Sequence, residues 1–310
     1  MPGNPTSSGT GPVRHVFISH SSQQVELAAR IETLLEKAGL DVWLDRSEIR
    51  LGALLRSELQ TSIESSRVLL LLWSNAAARS RWVAAELLTA HHLDRFVLAG
   101  VCDPAKPPLF LQSTIYLDLR RPEIEWAPRL VRAVREAPSH ANALPPVMRA
   151  PAPELDSTVR SIAAMQASVL DRLGARDLAG ARAEQHALDP VVAEARKRWK
   201  FERDVLNLAG YHAKNAYLLK HWDAVQAGVA PPDRLLERAE RFFFDALFVE
   251  PSDAAALNGL GSILILEREL DAAEFFVRRA IALAEKSGFE YPDARHDLEL
   301  IRSFRGLPHA

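Results

Sequence analysis

Short apolar runs alternate with amphipathic helical segments along the first 135 residues. The run at residues 68–73 is apolar at every position, which is typical of a strand buried on both faces in the centre of a parallel sheet. Apolar residues in the intervening segments recur at helical spacing, as in residues 23–38. Strand and helix alternation of this kind predicts a doubly wound parallel α/β sheet, which binds ligands at the carboxyl ends of its strands.

Five strands and four helices are predicted in this part of the chain. The strands are residues 16–19, 40–44, 68–73, 96–101 and 115–119, and the helices are residues 23–38, 54–63, 81–91 and 125–135.

Proline interrupts the chain between residues 137 and 153, where five prolines fall in one window with little hydrophobic periodicity. Because proline blocks helix and ladder hydrogen bonds, we interpret this window as a linker. The predicted organisation is a floppy tail at 1–12, an α/β domain at 13–136, the linker at 137–153 and an all-α domain at 154–310. The helices predicted there are residues 155–173, 178–188, 191–219, 235–249, 254–266 and 272–286.

The all-α part contains a repeat with an offset of 34 residues, since 273 − 239 = 34. Four positions share this offset: Ala239, Phe242, Ala246 and Leu247 recur as Ala273, Phe276, Ala280 and Ile281. This period resembles the tetratricopeptide repeat (TPR), a pair of packed helices. Gly259 and Gly261 would then allow close approach of paired helices. A simple helical core, which also produces apolar stripes, remains an alternative interpretation.

Composition excludes several classes of function. Lys and Arg total 38 against 40 Asp and Glu, so the net charge of −2 argues against binding to bulk nucleic acid. Cys102 is the only cysteine, which excludes an internal disulfide and favours a reducing, cytoplasmic location. No apolar run approaches the ~20 residues of a membrane helix, and residues 1–12 lack the apolar centre of a signal peptide. Histidine spacing predicts no metal site.

Three polar segments follow the first three predicted strands. The first strand is followed by His20, Ser21 and Ser22. The second strand ends with Trp43 and Asp45 near its carboxyl end, and Gly52 comes later in the loop after it. The third strand is followed by Ser74 and then by a helix that carries Trp82 and Glu86. This set, in this order, resembles the TIR (Toll/interleukin receptor) domain over about residues 13–135. The resemblance implies a flavodoxin-like five-stranded parallel sheet and, in many bacterial and plant members, cleavage of NAD.

The resemblance also implies roles for individual residues. Glu86 matches the catalytic glutamate, and Trp82 matches an aromatic residue often found four positions before it. His20 and Ser21 lie where the family contacts the dinucleotide, and Asp45 matches an acidic position near the ribose. Gly52 lies in a loop, residues 46–54, that frames the substrate and docks onto the next TIR domain. Trp43 and Ser74 complete the set of NAD-binding residues.

Residue chemistry is consistent with such a reaction. On a helix with Ser80 as N-cap, Trp82 and Glu86 share one face. Cleavage of the nicotinamide–ribose bond develops positive charge on the ribose while a neutral base departs, so one carboxylate can suffice. From periodicity alone, Trp82 could instead pack on the sheet while Glu86 is solvated.

We therefore expect a NAD glycohydrolase that releases nicotinamide and ADP-ribose or a cyclic form, needs no cofactor beyond its substrate, and acts as an effector in bacterial defence. Assembly through TIR domains would activate it, and a protein or ligand would trigger it at the TPR-like domain. Two alternatives remain open: a non-enzymatic TIR scaffold, and an enzyme that makes a signalling nucleotide. Ser21 and Ser22 stand where some active TIR domains carry arginines, and the loop 46–54 lacks the proline of many adaptors.

Overall fold

The computed structural model describes residues 14–44, 62–108, 111, 116–138 and 152–306. Contacts divide the chain into two compact units, residues 1–144 and 145–310. The predicted tail, most of the linker and most of the helix expected at 54–63 lie outside the described residues.

A five-stranded parallel sheet forms the centre of the first unit. Its strands stand in the order β2-β1-β3-β4-β5. Their bounds are β1 Arg14–Ser19, β2 Val42–Leu44, β3 Ser66–Trp73, β4 Phe96–Val101 and β5 Leu117–Asp118. This order is the flavodoxin-like one, so the predicted doubly wound sheet is confirmed.

Among the described residues, three helices cover the sheet on its two faces: α1 Val25–Lys37, α2 Arg81–His92 and α3 Glu123–Arg135. Helices α1 and α3 pack against one face, in a core that includes Ile31, Leu130 and alternate strand residues such as Leu70. Helix α2 packs against β1, β3 and β4 and covers the other face. Because alternate strand residues point to opposite faces, Phe17 and Leu69 belong to the α2 face.

In the second unit, residues 152–306 form helices joined by turns and loops, with no strand among them. Its helices are α4 Pro153–Gly174, α5 Leu178–Arg198, α6 Arg203–Lys220, α7 Trp222–Gln226, α8 Arg234–Val249, α9 Ala254–Leu266, α10 Leu270–Lys286 and α11 Pro292–Phe304. The all-α prediction for this part is therefore confirmed.

The predicted boundaries around Pro190 are wrong. The expected break between 188 and 191 is absent, since α5 continues through Pro190. Leu188, Val192 and Ala195 are all buried on one stripe of α5, so packing outweighs the missing proline hydrogen bond. The expected helix 191–219 instead breaks at residues 199–202, where no Gly or Pro marks a stop. Helix α11 was not predicted at all.

Close helix packing in the second unit depends on glycine. Phe243 on α8 is fully buried against Gly210 of α6 and Gly259 of α9. A Cβ atom added at Gly210 or Gly259 would lie 2.6 or 2.4 Å from the Phe243 ring, and one at Gly261 would lie 2.4 Å from Val277. The expectation that these small residues let helices approach closely is confirmed.

Within the parts of the chain that the structure describes, no helix combines the length and the apolar character needed to cross a membrane.

Candidate functional site

The carboxyl edge of the sheet brings polar residues of three loops together. Ser21 follows β1, Ser74 follows β3 and Asp103 follows β4. Ser21 and Ser74 are buried, and His20 is half-buried. This is the edge at which doubly wound sheets bind ligands.

Gln24 joins the first two of these loops. Its side-chain oxygen accepts a hydrogen bond from the Ser74 hydroxyl at 3.0 Å and another from the Ser21 hydroxyl. Ser74 also accepts a hydrogen bond from the backbone N–H of Ala77 at 3.0 Å. Gln24 was not among the predicted site residues, because its partner Ser74 lies 50 positions away and only the fold brings them together.

Asp103 joins the loops after β3 and β4. Its carboxylate accepts hydrogen bonds from the Asn75 backbone N–H at 2.7 Å and from the Ala105 N–H at 2.8 Å. Burial raises the pKa of Asp103, but these hydrogen bonds outweigh burial and lower it overall. The indole N–H of Trp73 adds a bond to the Lys106 carbonyl at 2.8 Å. The three loops therefore form one hydrogen-bonded rim.

Glu86 is buried on the α2 face of the sheet, with 2% of its surface exposed. The helix that carries it begins after Ser80, whose hydroxyl accepts a hydrogen bond from the Val83 N–H, so the predicted N-cap is confirmed. Trp82 is 48% exposed although it precedes Glu86 by four positions. The solvated-glutamate alternative is wrong, and Trp82 is not a core residue.

Trp43 is half-buried at the edge strand β2 and stacks on Phe17 with ring centroids 4.8 Å apart. Cα pairing of Phe17 with Trp43 puts both on the α2 face, the face that also carries Glu86. Asp45 and Gly52, the remaining predicted site residues, lie outside the described residues.

Ser19 is a buried residue that the site prediction omitted. It ends β1 on the same face as Phe17, and its Cα pairs with that of Leu71. Its hydroxyl is fully buried and forms no hydrogen bond with any described residue. A buried hydroxyl that has no partner among the described residues, at the edge where such sheets bind ligands, is a candidate ligand contact. Its position as the last strand residue before His20 was the available sequence signal.

Cys102 follows β4 and is half-buried. Burial and the nearby charge of Asp103 raise the pKa of its thiol to about 12, which makes it a poor nucleophile at neutral pH. Among the residues with described positions, no three His, Cys, Asp or Glu side chains are grouped to hold a metal ion.

Comparison with known proteins identifies the domain that carries this edge. Residues 16–160 match the family model described as "TIR domain". These residues are a TIR domain. The matched segment begins within β1 and includes the other four strands and the helix that carries Glu86.

One curated relative carries a functional name. The chain is 32% identical over 68 residues to the protein named "Probable 2' cyclic ADP-D-ribose synthase TcpO" of Methanobrevibacter olleyae. The match covers 22% of this chain and only 20% of that relative. No solved structure matches the chain significantly.

Replacing Ser74 with alanine tests the rim of the TIR domain. Ser74→Ala leaves the buried N–H of Ala77 without its acceptor and removes one donor to Gln24. We expect a loss of about 1–2 kcal/mol in the free energy of unfolding, measured by urea denaturation. Exposed Ser22 is the control, and Ser22→Ala should change stability by less than about 0.5 kcal/mol. Equal stability of the two variants would contradict the bridging role.

Proposed function

We propose that the TIR domain cleaves the nicotinamide–ribose bond of NAD at the carboxyl edge of its sheet, with Glu86 as the catalytic carboxylate. The observation that carries the proposal is the burial of Glu86, because a carboxylate removed from water stabilises a nearby positive charge more strongly than a solvated one. The relative named as a cyclic ADP-D-ribose synthase supports this class of reaction.

The proposed chemistry requires little of the protein beyond charge stabilisation and positioning. The C1′–N bond breaks and its electron pair leaves with nicotinamide, which departs as a neutral base. Positive charge develops on the ribose, and the Glu86 carboxylate stabilises it. In hydrolysis, a water oxygen then bonds to C1′ and a proton is released, which gives ADP-ribose.

A second candidate product follows from the name of the relative. If a hydroxyl of the same ADP-ribose bonds to C1′ in place of water, the product is cyclic and the protein is a source of a signalling nucleotide. The two outcomes differ by one water, so the mass of the product separates them.

Substrate contacts are proposed for the residues around this edge. The hydroxyls of Ser19 and Ser21 and the ring of His20 would face the dinucleotide at the end of β1. Trp43 on β2 and Ser74 in the loop after β3 would contact it from the neighbouring strands. Asp45 would hold the ribose hydroxyls. The half-exposed indole of Trp82 offers a flat surface for stacking of a ring.

Activation by assembly is part of the proposal. We propose that TIR domains dock onto one another through the loop around Gly52, and that the helical unit, a TPR-like repeat, receives a protein or ligand trigger. Control by assembly and by a trigger suits an effector of bacterial defence that acts in the cytoplasm, because uncontrolled loss of NAD is toxic to the cell.

The deciding experiment incubates the purified full chain with NAD and separates nicotinamide by chromatography over a series of protein concentrations. We expect release of nicotinamide, with activity per molecule that rises with concentration. A product mass of ADP-ribose assigns hydrolysis, and a mass lower by one water assigns cyclisation. No release at any concentration would favour the non-enzymatic scaffold.

Trp82 provides a separate test of substrate stacking. Because stacking of an aromatic residue on a base is worth about 1–3 kcal/mol, Trp82→Ala is expected to raise KM for NAD about tenfold or more, and Trp82→Phe much less. Tyr116 is equally exposed but adjoins β5, the edge strand that β4 separates from β1 and β3. Tyr116→Ala should leave KM unchanged, and an equal effect of both alanine variants would refute stacking on Trp82.

A further inference from the structure

A pocket of about 310 Å³ lies in the helical unit, between α5, α6 and α8. This volume is at the lower end of the range for small-molecule sites. Its apolar wall consists mainly of small side chains: Val192, Ala209, Ala213 and Ala216. All of the lining residues belong to the unit at 145–310.

Two arginines converge on one aromatic ring in this pocket. The guanidinium carbon of Arg196 lies 4.2 Å from the centroid of the Phe242 ring, and that of Arg238 lies 5.6 Å from it. Neither arginine forms an ion pair with any residue in the described part of the chain. Asp245, whose charge acts on Arg196, is ion-paired with Arg241 at 3.0 Å. Burial, followed by the nearby charge of Arg238, lowers the pKa of Arg196.

The acidic group of the pocket is already engaged. Asp189 accepts a hydrogen bond from Nε2 of His212 at 2.8 Å. Nδ1 of the same ring accepts from the Gln185 amide at 2.8 Å, which places the ring proton on Nε2 and makes the imidazole neutral. Among the lining residues, two positive charges therefore face one negative charge, and the nearby Asp245 is ion-paired with Arg241, so the surplus in the pocket is positive.

These features together define the ligand. An unpaired pair of guanidiniums favours a carboxylate or phosphate, which both can contact with charge-assisted hydrogen bonds. The alanine-lined wall favours an apolar body. We propose that the pocket between α5, α6 and α8 binds a small amphipathic anion, with Arg196 and Arg238 on its anionic group and its apolar part against the alanine-lined wall.

The site goes beyond the proposed NAD cleavage, because it lies in the other unit and binding is measured without NAD. The probes are benzoate for a carboxylate, phenyl phosphate for a phosphate, and benzamide as a neutral analogue of benzoate. Isothermal titration calorimetry of the full chain is expected to detect binding of benzoate or phenyl phosphate and at least tenfold weaker binding of benzamide. The tighter anion assigns the anionic group.

Variants then locate the binding. Arg196→Gln and Arg238→Gln are each expected to weaken binding of the tighter anion at least tenfold, and Ala216→Phe, which fills the pocket, is expected to abolish it. Arg234, exposed on the same helix α8 but outside the lining, is the matched control, and Arg234→Gln should bind like the original chain. Arg238 is exposed, so its replacement leaves the fold intact.

Three results would overturn the proposal. These are undetectable binding of both anions at millimolar concentration, benzamide binding as tight as benzoate binding, and unchanged affinity in Arg238→Gln. Circular dichroism of each variant verifies that the helical unit remains folded, so a loss of affinity reports on the pocket itself.

Discussion

Glu86→Gln is expected to reduce nicotinamide release from NAD at least about 100-fold, the scale seen when one preorganised electrostatic contact to a transition state is removed. The amide has nearly the shape of the carboxylate but no negative charge to oppose the cation on the ribose. The assay is nicotinamide release from saturating NAD, at a protein concentration where the original chain is most active.

Glu36→Gln is the matched control for this prediction. Glu36→Gln is the same chemical change at an exposed position near the carboxyl end of α1. That end of the helix lies toward the amino edge of the sheet, away from the candidate site. Its activity should equal that of the original chain. If circular dichroism shows an unchanged fold, retention of more than half of the activity in Glu86→Gln would contradict the assignment of Glu86 as the catalytic carboxylate.

Phe243→Ala is expected to lower the free energy of unfolding of the helical unit by about 3–5 kcal/mol, as for other buried aromatic residues. The ring fills the space left by Gly210 and Gly259, and neither glycine has a side chain that could close the cavity. Denaturation followed by far-ultraviolet circular dichroism, which helices dominate, measures the loss.

Phe201→Ala is the control, since the Phe201 side chain is 66% exposed and its loss should cost less than about 0.5 kcal/mol.

Gly259→Ala should destabilise the helical unit by about 1–3 kcal/mol, because its new methyl group would meet the Phe243 ring. In the double variant Phe243→Ala/Gly259→Ala the methyl group enters the vacated space, so the two losses should not add. Simple additivity would contradict this packing.

The architecture could be predicted from the sequence where burial imposes a hydrophobic pattern on an element. Residues 68–73 are apolar throughout because a central parallel strand is covered by helices on both faces. The end of α5 at Arg198 could not be predicted, because residues 199–202 contain no glycine or proline that would signal the end of a helix.

The residues of the candidate site could be predicted from the sequence only in part. Motif order pointed to Glu86, but spacing alone left its burial open, since residues four apart differ by about 40° around a helix. That offset allows Trp82 to be 48% exposed while Glu86 is 2% exposed. Gln24 and Asp103 gave no signal, because their roles come from loops that only the folded sheet brings side by side.

The rim of the TIR domain has a mechanical consequence. Gln24 links the loop after β1 to the loop after β3 by a hydrogen bond with Ser74. Asp103 in the loop after β4 accepts a hydrogen bond from Asn75 and so links its loop to the loop after β3. Since each bridge is shared by two loops, a shift in any of them is transmitted across three adjacent strands. A molecule arriving at this edge meets loops already ordered relative to one another, so it forfeits less conformational entropy on binding than it would with independent loops.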